Sequence, residues 1–270
     1  MNSYLSLFRF QNGLMGIVGV IIAAFIAAGM DLVDHTEDLA IACILIMSFM
    51  AGGNSLNDYI DRDIDKTAHP DRPLPLGTIT PQNALICGIG GLTFAVLLSL
   101  LLSWFTATVV FIAAILMIIY ETRLKQRGFV GNIVIAALTG MIFLFGGCIV
   151  GDMSRTWIPA LLAVLVSIGR EIAKDIEDAD SDIGARTTLP MKIGVKKSAS
   201  IAAAFFVAGP VLSFYPLIAG LLGWGYLTVL IPDIIFIYCA VIVFKNAHGA
   251  EKYAKTAMVV ALVSFILGVM

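Results

Sequence analysis

The sequence predicts an all-α, polytopic membrane protein in which nine transmembrane helices form one bundle, with residues 1–270 as a single domain. Hydrophobic residues make up 59% of its 270 residues and charged residues only 13%, a far more apolar balance than soluble domains have. The apolar residues fall into runs of about twenty, the length at which a helix crosses roughly 30 Å of hydrocarbon. None of the runs alternates apolar and polar residues as the strands of a membrane barrel do.

The predicted spans are apolar runs bounded by charged residues, proline or glycine. The first lies between Arg9 and the acidic segment 31–38, and the second ends where the acids of 58–65 begin. The third begins at Pro81 and is separated from the fourth by Ser103, and the later spans are bounded in the same way. In order, they lie near residues 12–30, 39–57, 81–102, 104–120, 131–150, 157–173, 198–221, 224–243 and 254–270.

The positions of the basic residues predict the orientation. All 17 lysines and arginines except Arg155 fall on one side of this nine-span topology. Because basic residues concentrate in cytoplasmic loops, we expect a cell membrane protein whose N-terminus is cytosolic and whose C-terminus is outside. The expected cytosolic loops are 58–80, 121–130, 174–197 and 244–253. Of these, loops 58–80 and 174–197 are expected to cap the site.

Acidic residues crowd into two windows, NDYIDRDID at 57–65 and REIAKDIEDADSD at 170–182. In each window three aspartates repeat the spacing i, i+3, i+7, which places their carboxylates on one face of a helix. The first aspartate stripe is Asp58, Asp61 and Asp65, and the second is Asp175, Asp178 and Asp182. Solvated loop acids would not need the same spacing twice, so the stripes are interpreted as a site.

Three like charges on one face repel one another, so a cation is expected to offset them. Mg²⁺ prefers oxygen ligands and is commonly held by one or two carboxylates together with substrate phosphates. Arg72 in HPDRPLPLGTITP and Lys125 in YETRLKQRGFVGN are the basic side chains predicted to neutralise a diphosphate. The stripes and these cations together predict binding of magnesium and diphosphate at the cytosolic ends of helices.

The sequence lacks the motifs of other common catalytic and binding sites. No HExxH zinc motif, phosphate-binding glycine loop or nucleophile elbow occurs. The four cysteines lie singly in apolar runs, which is not the spacing of a zinc site. The formal net charge of −2 gives no basic field for nucleic acid, and no feature indicates an obligatory protein partner.

The two acidic windows resemble the signatures of a known family. NDYIDRDIDKTAHPDRPLP resembles the first signature of the UbiA-type intramembrane prenyltransferase superfamily, DIEDADSD resembles its second, and IGARTTLPMKIG resembles the usual continuation. The resemblance implies nine transmembrane helices, both signatures at cytosolic helix ends, Mg²⁺ as cofactor, and a prenyl diphosphate and a lipid-like acceptor as substrates.

Residue by residue, the resemblance assigns Asn57, Asp61 and Asp65 to the binding of metal and diphosphate. In the second signature, Glu177 and Asp180 are alternative acids at similar spacing, so the resemblance leaves open which acid of this signature contacts the metal. The full catalytic set is Asn57, Asp61, Asp65, Asp178, Asp182, Arg72 and Lys125, of which Asp61, Asp65, Asp178 and Asp182 are the metal ligands. The further substrate-binding candidates are Asp58, Asp175, Tyr120, Asn132, Arg186, Lys192, Arg9 and Asn12.

Members of this superfamily differ in the acceptor. Both signatures look most like those of the archaeal branch, which transfers a geranylgeranyl group to geranylgeranylglyceryl phosphate. That transfer forms the second ether bond of archaeal membrane lipids. An aromatic quinone precursor such as 4-hydroxybenzoate stays open as the acceptor, and a cation-coupled transporter is a further alternative. The phosphate of a glyceryl phosphate acceptor needs basic partners, for which the candidates are Arg9, Lys174, Arg186 and Lys192.

Overall fold

The computed structural model of the chain describes residues 3–179 and 187–270, and the regular structure within these ranges is entirely helical. The predicted all-α class is therefore confirmed. The α-helices are α1 Ser3–Leu7, α2 Phe10–Ala28, α3 Thr36–Ala68, α4 Pro81–Ser99, α5 Trp104–Ile119, α6 Phe129–Val150, α7 Trp157–Glu177, α8 Leu189–Ile193, α9 Val195–Ser213, α10 Tyr215–Ile218, α11 Leu230–Ile242 and α12 Ala247–Val269. 3₁₀ turns occupy Gly29–His35 and Trp224–Val229, and a π-helical turn occupies Tyr120–Leu124.

Seven continuous helical segments in the described ranges are long and apolar enough to cross a membrane. The first contains both α2 and α3, which the 3₁₀ turn Gly29–His35 connects. Repeated segments of this kind make the chain an integral membrane protein. The segments are Phe10–Ala68, Pro81–Ser99, Trp104–Leu124, Phe129–Val150, Val195–Ile218, Trp224–Ile242 and Ala247–Val269.

Helix α3 is longer than the predicted span. It continues from Thr36 to Ala68, so residues 58–68, expected in a loop, are helical and the loop is reduced to 69–80. No glycine or proline interrupts the helix after Gly53, and Pro70 disfavours the helical conformation of the residue before it. The first aspartate stripe therefore lies on continuous helix, as its spacing predicts.

Helix α7 ends at Glu177, so only the first aspartate of the second stripe lies within it. Asp175 lies in the last turn of α7, and Asp178 is the C-cap residue, whose backbone N–H donates to the carbonyl oxygen of Lys174. Asp182, Asp180 and Arg186 lie outside the described residues. The predicted helical face therefore applies to Asp175 and ends at Asp178.

Small residues bring α3 and α4 close together. A Cβ atom added at Gly91 would lie 2.9 Å from the Cα of Gly52, so the two backbones are in direct contact there. The GIGG segment at 88–91 thus packs one helix on another, which is how apolar helices associate when lipid offers no hydrophobic drive between them. This contact holds α3, which carries the first stripe, against its neighbour.

Candidate active site

Each carboxylate of the first aspartate stripe forms an ion pair with a basic residue from a different part of the chain. Asp58 and Asp65 are only 2% and 3% exposed, and a carboxylate that is removed from water needs a charged or hydrogen-bonding partner. The pairs are Arg9 with Asp58 (2.6 Å), Lys125 with Asp61 (2.5 Å) and Arg72 with Asp65 (2.6 Å). The structure therefore brings together the first stripe and the two cations predicted to bind diphosphate.

Arg9 reaches this site from the turn between α1 and α2. Its φ of 47° places it in the left-handed region, where non-glycine residues are uncommon. The Arg9 guanidinium donates to Oδ1 of Asn57 (3.1 Å) as well as to Asp58. The side-chain amide of Asn54 donates to the carbonyl oxygen of Phe8 (2.9 Å). Helix α3 thus holds both the backbone and the side chain of this turn.

Glu121 belongs to the same cluster, although sequence reasoning did not select it. It lies in the π-helical turn Tyr120–Leu124 and is 7% exposed. Its Oε2 accepts hydrogen bonds from Nδ2 of Asn57 (3.0 Å) and from Nζ of Lys125 (3.2 Å). The signal in the sequence is the spacing of four between Glu121 and Lys125, which favours an ion pair on one helix. Single π-helical turns are frequent at functional sites.

Asp175 of the second stripe is held by the start of α6. The side-chain amide of Asn132 donates to Oδ2 of Asp175 (2.7 Å), and both residues are buried. The segment before α6 also contacts residue 187, whose backbone N–H donates to the carbonyl oxygen of Gln126 (3.2 Å). Segment 120–132 therefore contacts Asp61 of the first stripe through Lys125, near its middle, and Asp175 of the second through Asn132, at its end.

Gly128 permits this connection. Its φ is +57°, and a Cβ atom there would lie 2.4 Å from the carbonyl oxygen of Thr187. Only a residue without a side chain combines that backbone conformation with so close an approach. The glycine thus lets the loop before α6 pack directly against the chain that follows the second acidic window.

The remaining predicted residues lie around this cluster. Tyr120 opens the π-helical turn, and its ring would contact a Cβ atom added at Gly131 at 3.5 Å. Asp178 is half-buried at the end of α7. Asn12 in α2 and Lys192 in α8 are exposed. The backbone N–H of Asn12 donates to the carbonyl oxygen of Arg9 (2.7 Å). Their roles in binding stay predictions, as do those of Asp182 and Arg186.

The donor set fits a magnesium ion that arrives with a diphosphate. In the part of the chain that the structure describes, no three His, Cys, Asp or Glu side chains are grouped so as to hold a metal by themselves. The carboxylates of Asp61 and Asp65 are instead oxygen donors paired with Lys125 and Arg72. Mg²⁺ needs only one or two protein carboxylates when substrate phosphates and water complete its octahedron. The residues present meet that requirement.

An apolar cavity of about 230 Å³ lies between α2, α3, α5 and α6, and its lining comes within one to two helical turns of the polar cluster. Met50 precedes Asn57 by two helical turns, and Met117 precedes Glu121 by about one. The cavity therefore lies beside the site, towards the middle of α3 and α5. Its lining includes Gly16, Phe49, Met50, Met117, Ile142 and Phe145. Such a cavity is suited to a hydrocarbon chain whose charged head is bound at the cluster.

Comparison with known proteins relates this chain to one family over nearly its whole length. Residues 17–268 match the profile of the UbiA prenyltransferase family. The chain is 37% identical over 251 residues to the digeranylgeranylglyceryl phosphate synthase of Natronomonas pharaonis, covering 92% of this chain and 89% of that relative.

Solved structures agree with this relationship. A structure concerned with digeranylgeranylglyceryl phosphate synthase in membranes superposes with a TM-score of 0.85 at 31% identity, covering 99% of this chain and 97% of the other. A UbiA homologue from Archaeoglobus fulgidus, bound to DMAPP and Mg²⁺, shares the fold with a TM-score of 0.67 at 14% identity, covering 98% and 99%. The resemblance of the two acidic windows is thereby confirmed, and the chain belongs to the UbiA prenyltransferase family.

Proposed function

We propose that this protein transfers a geranylgeranyl group from geranylgeranyl diphosphate to geranylgeranylglyceryl phosphate, forming the second ether bond of archaeal membrane lipids. One observation carries the proposal: a cluster of paired acids and cations lies one to two helical turns from an apolar cavity, in a chain 37% identical to a digeranylgeranylglyceryl phosphate synthase. A prenyl diphosphate has the same division into a charged head and an apolar tail.

Within this reaction, the residues of the cluster divide into two roles. Asp61 and Asp65 would hold Mg²⁺ together with Asp178 and Asp182 of the second stripe. When bound, Mg²⁺ would stabilise the negative charge that develops on the leaving diphosphate. Arg72 and Lys125, released from their carboxylates, would bind the diphosphate oxygens and add to the same stabilisation. The Archaeoglobus fulgidus homologue was solved with Mg²⁺ and DMAPP, which supports this choice of metal and substrate class.

The acceptor separates the proposal from its alternatives. We expect purified protein in detergent, given Mg²⁺ and radiolabelled geranylgeranyl diphosphate, to label geranylgeranylglyceryl phosphate at least tenfold faster than 4-hydroxybenzoate, because its relatives are named digeranylgeranylglyceryl phosphate synthases. The measurement is the initial rate of radiolabelled product with each acceptor. Faster labelling of the aromatic acid would overturn the proposal. Turnover in detergent, where no ion gradient exists, would argue against a transporter.

We also propose that the chain is one domain that crosses the cell membrane nine times. The 59-residue apolar segment Phe10–Ala68 comprises two helices, α2 and α3. Helix α7 has 21 residues, enough to cross, although its cytosolic end carries charged residues. Counting α2, α3 and α7 separately together with the other six apolar segments supports nine crossings, an odd number that places the two termini on opposite sides.

Cysteine labelling in intact cells tests this topology. In a background without Cys43, Cys87, Cys148 and Cys239, single cysteines would replace exposed residues on the two sides. We expect a membrane-impermeant maleimide to label Arg155→Cys and Met270→Cys directly, and Arg127→Cys only after permeabilisation. The physical reason is the clustering of basic residues on the cytosolic side. Labelling of Met270→Cys only after permeabilisation would contradict nine crossings.

A further inference from the structure

The junction of α8 and α9 carries a basic and apolar surface outside the ion-pair cluster described above. Residues 193–197 are all exposed, and they combine apolar side chains with two adjacent lysines. No acidic residue occurs between Thr187 and Ser213, so neighbours along the chain do not neutralise the positive charge. We call this surface the α8–α9 patch, and its side chains are Ile193, Val195, Lys196 and Lys197.

An apolar groove of about 350 Å³ lies on α9 just beyond the patch. Lys197 precedes Ile201 by four residues and Ala204 by seven, so all three lie on one face of the helix. Ala204 is exposed, so the groove opens to the outside of the bundle. Lys197 therefore lies at one end of the groove. The groove is lined by Ser200, Ile201, Ala204, Phe205 and Ala208.

The position of the patch and the groove along the membrane span indicates the chemistry of a ligand. Helix α9 begins the apolar segment Val195–Ile218, which is long enough to cross a membrane, so the two lysines lie at the level of the lipid headgroups. The groove then lies at the level of the hydrocarbon chains. Exposed apolar side chains beside lysines, here Ile193 and Val195, are typical of a segment at the membrane interface.

We propose that the α8–α9 patch and the groove together bind one anionic phospholipid of the surrounding bilayer. The ammonium groups of Lys196 and Lys197 bind the headgroup phosphate, and one hydrocarbon chain lies in the groove beside Ile201 and Phe205. Lysines at the end of a membrane span attract anionic lipids by charge, and a groove offers a chain more van der Waals contact than a flat helix surface. The proposal does not depend on the proposed transfer reaction.

The contribution of charge is tested with two lipids that have the same chains and different headgroups. Native mass spectrometry of the full-length protein in detergent would give dissociation constants for phosphatidylglycerol and phosphatidylcholine. We expect phosphatidylglycerol to bind at least about fivefold more tightly. The double variant Lys196→Gln/Lys197→Gln should weaken its binding about 5- to 30-fold, and should leave phosphatidylcholine binding within about twofold of wild type. The matched control is Lys245→Gln/Lys252→Gln, which removes two charges from exposed lysines elsewhere and should bind both lipids as wild type does.

The contribution of the groove is tested by filling it. Ala204→Trp places an indole ring where the hydrocarbon chain would lie, and we expect it to weaken phosphatidylglycerol binding at least about fivefold. Val207→Trp is the matched control, because Val207 is exposed on the same helix but lies outside the groove lining. It should bind phosphatidylglycerol as wild type does. Both variants alter exposed positions, so their melting temperatures should stay within about 2 °C of wild type.

Three results would overturn the proposal. Equal weakening by the two double lysine variants would mean that general charge attracts the lipid, without a site at the patch. Wild-type affinity of Ala204→Trp would mean that no chain occupies the groove. An unchanged affinity of Lys196→Gln/Lys197→Gln for phosphatidylglycerol, together with a raised KM for geranylgeranylglyceryl phosphate, would assign the patch to the acceptor instead.

Discussion

Replacing Asp61 by alanine is expected to lower kcat/KM for prenyl transfer by about 10³-fold. Asp61 is the carboxylate that Lys125 contacts at 2.5 Å, so the substitution removes an oxygen donor for the metal and also a partner that positions the ammonium group. Removing a single preorganised group that stabilises developing charge typically costs about 10²- to 10³-fold. The measurement is the initial rate of labelled ether product over a range of prenyl diphosphate and Mg²⁺ concentrations.

Asp63 provides the matched control for this variant. It lies two residues away on α3, its side chain is 70% exposed, and it pairs with Lys66 and Arg62 outside the cluster. Exposed pairs of this kind contribute little, so Asp63→Ala should retain kcat/KM within about twofold of wild type. If Asp61→Ala and Asp63→Ala behaved alike, the first aspartate stripe would not be the metal and diphosphate site.

Replacing Gly91 by alanine is expected to destabilise the protein by about 1 to 3 kcal/mol, the usual cost of forcing an atom into a packed interface. The added Cβ would lie 2.9 Å from both the Cα of Gly52 and the carbonyl oxygen of Ser48. These are backbone atoms, so α3 and α4 must move apart to relieve the overlap. We expect the melting temperature of the detergent-solubilised protein to fall by roughly 2 to 10 °C, as measured by thermal unfolding.

The neighbouring Gly90 distinguishes this contact from a general effect of glycine. A Cβ atom at Gly90 meets nothing within 4 Å, and alanine is the better helix former by about 0.5 to 1 kcal/mol. Gly90→Ala should therefore melt at the same temperature as wild type or slightly above it. Equal melting temperatures for the Gly90→Ala and Gly91→Ala variants would show that the backbones of α3 and α4 are not in contact at this point.

Much of the first stripe was predictable because helical periodicity is a local property. The spacing of Asp58, Asp61 and Asp65 indicated one helical face, and α3 is continuous through all three. The choice of Arg72 and Lys125 as the neutralising cations is consistent with their ion pairs to this stripe. The end of α7 at Glu177 was not predictable in the same way, because the spacing alone does not reveal where a helix stops.

Other features of the site depend on residues that are distant in the chain. Arg9 and Asp58 are 49 positions apart, and Lys125 and Asp61 are 64 apart. Glu121 was missed because its importance comes from Asn57, which is also 64 positions away. A local sequence pattern does not show which helices are neighbours. These partners follow only from how α3, the π-helical turn and the turn between α1 and α2 pack together.

The amino-acid sequence alone determined that this is an all-α membrane protein with two acidic windows, and it predicted which cations would bind a diphosphate. Composition, helical period and spacing depend on neighbours along the chain, and these are written directly in the order of residues. Tertiary structure decided that Glu121 joins the cluster and that an apolar cavity lies one to two helical turns from it. It also decided which cation pairs with which aspartate. These are contacts between residues far apart in the chain, so they exist only once the helices have packed together.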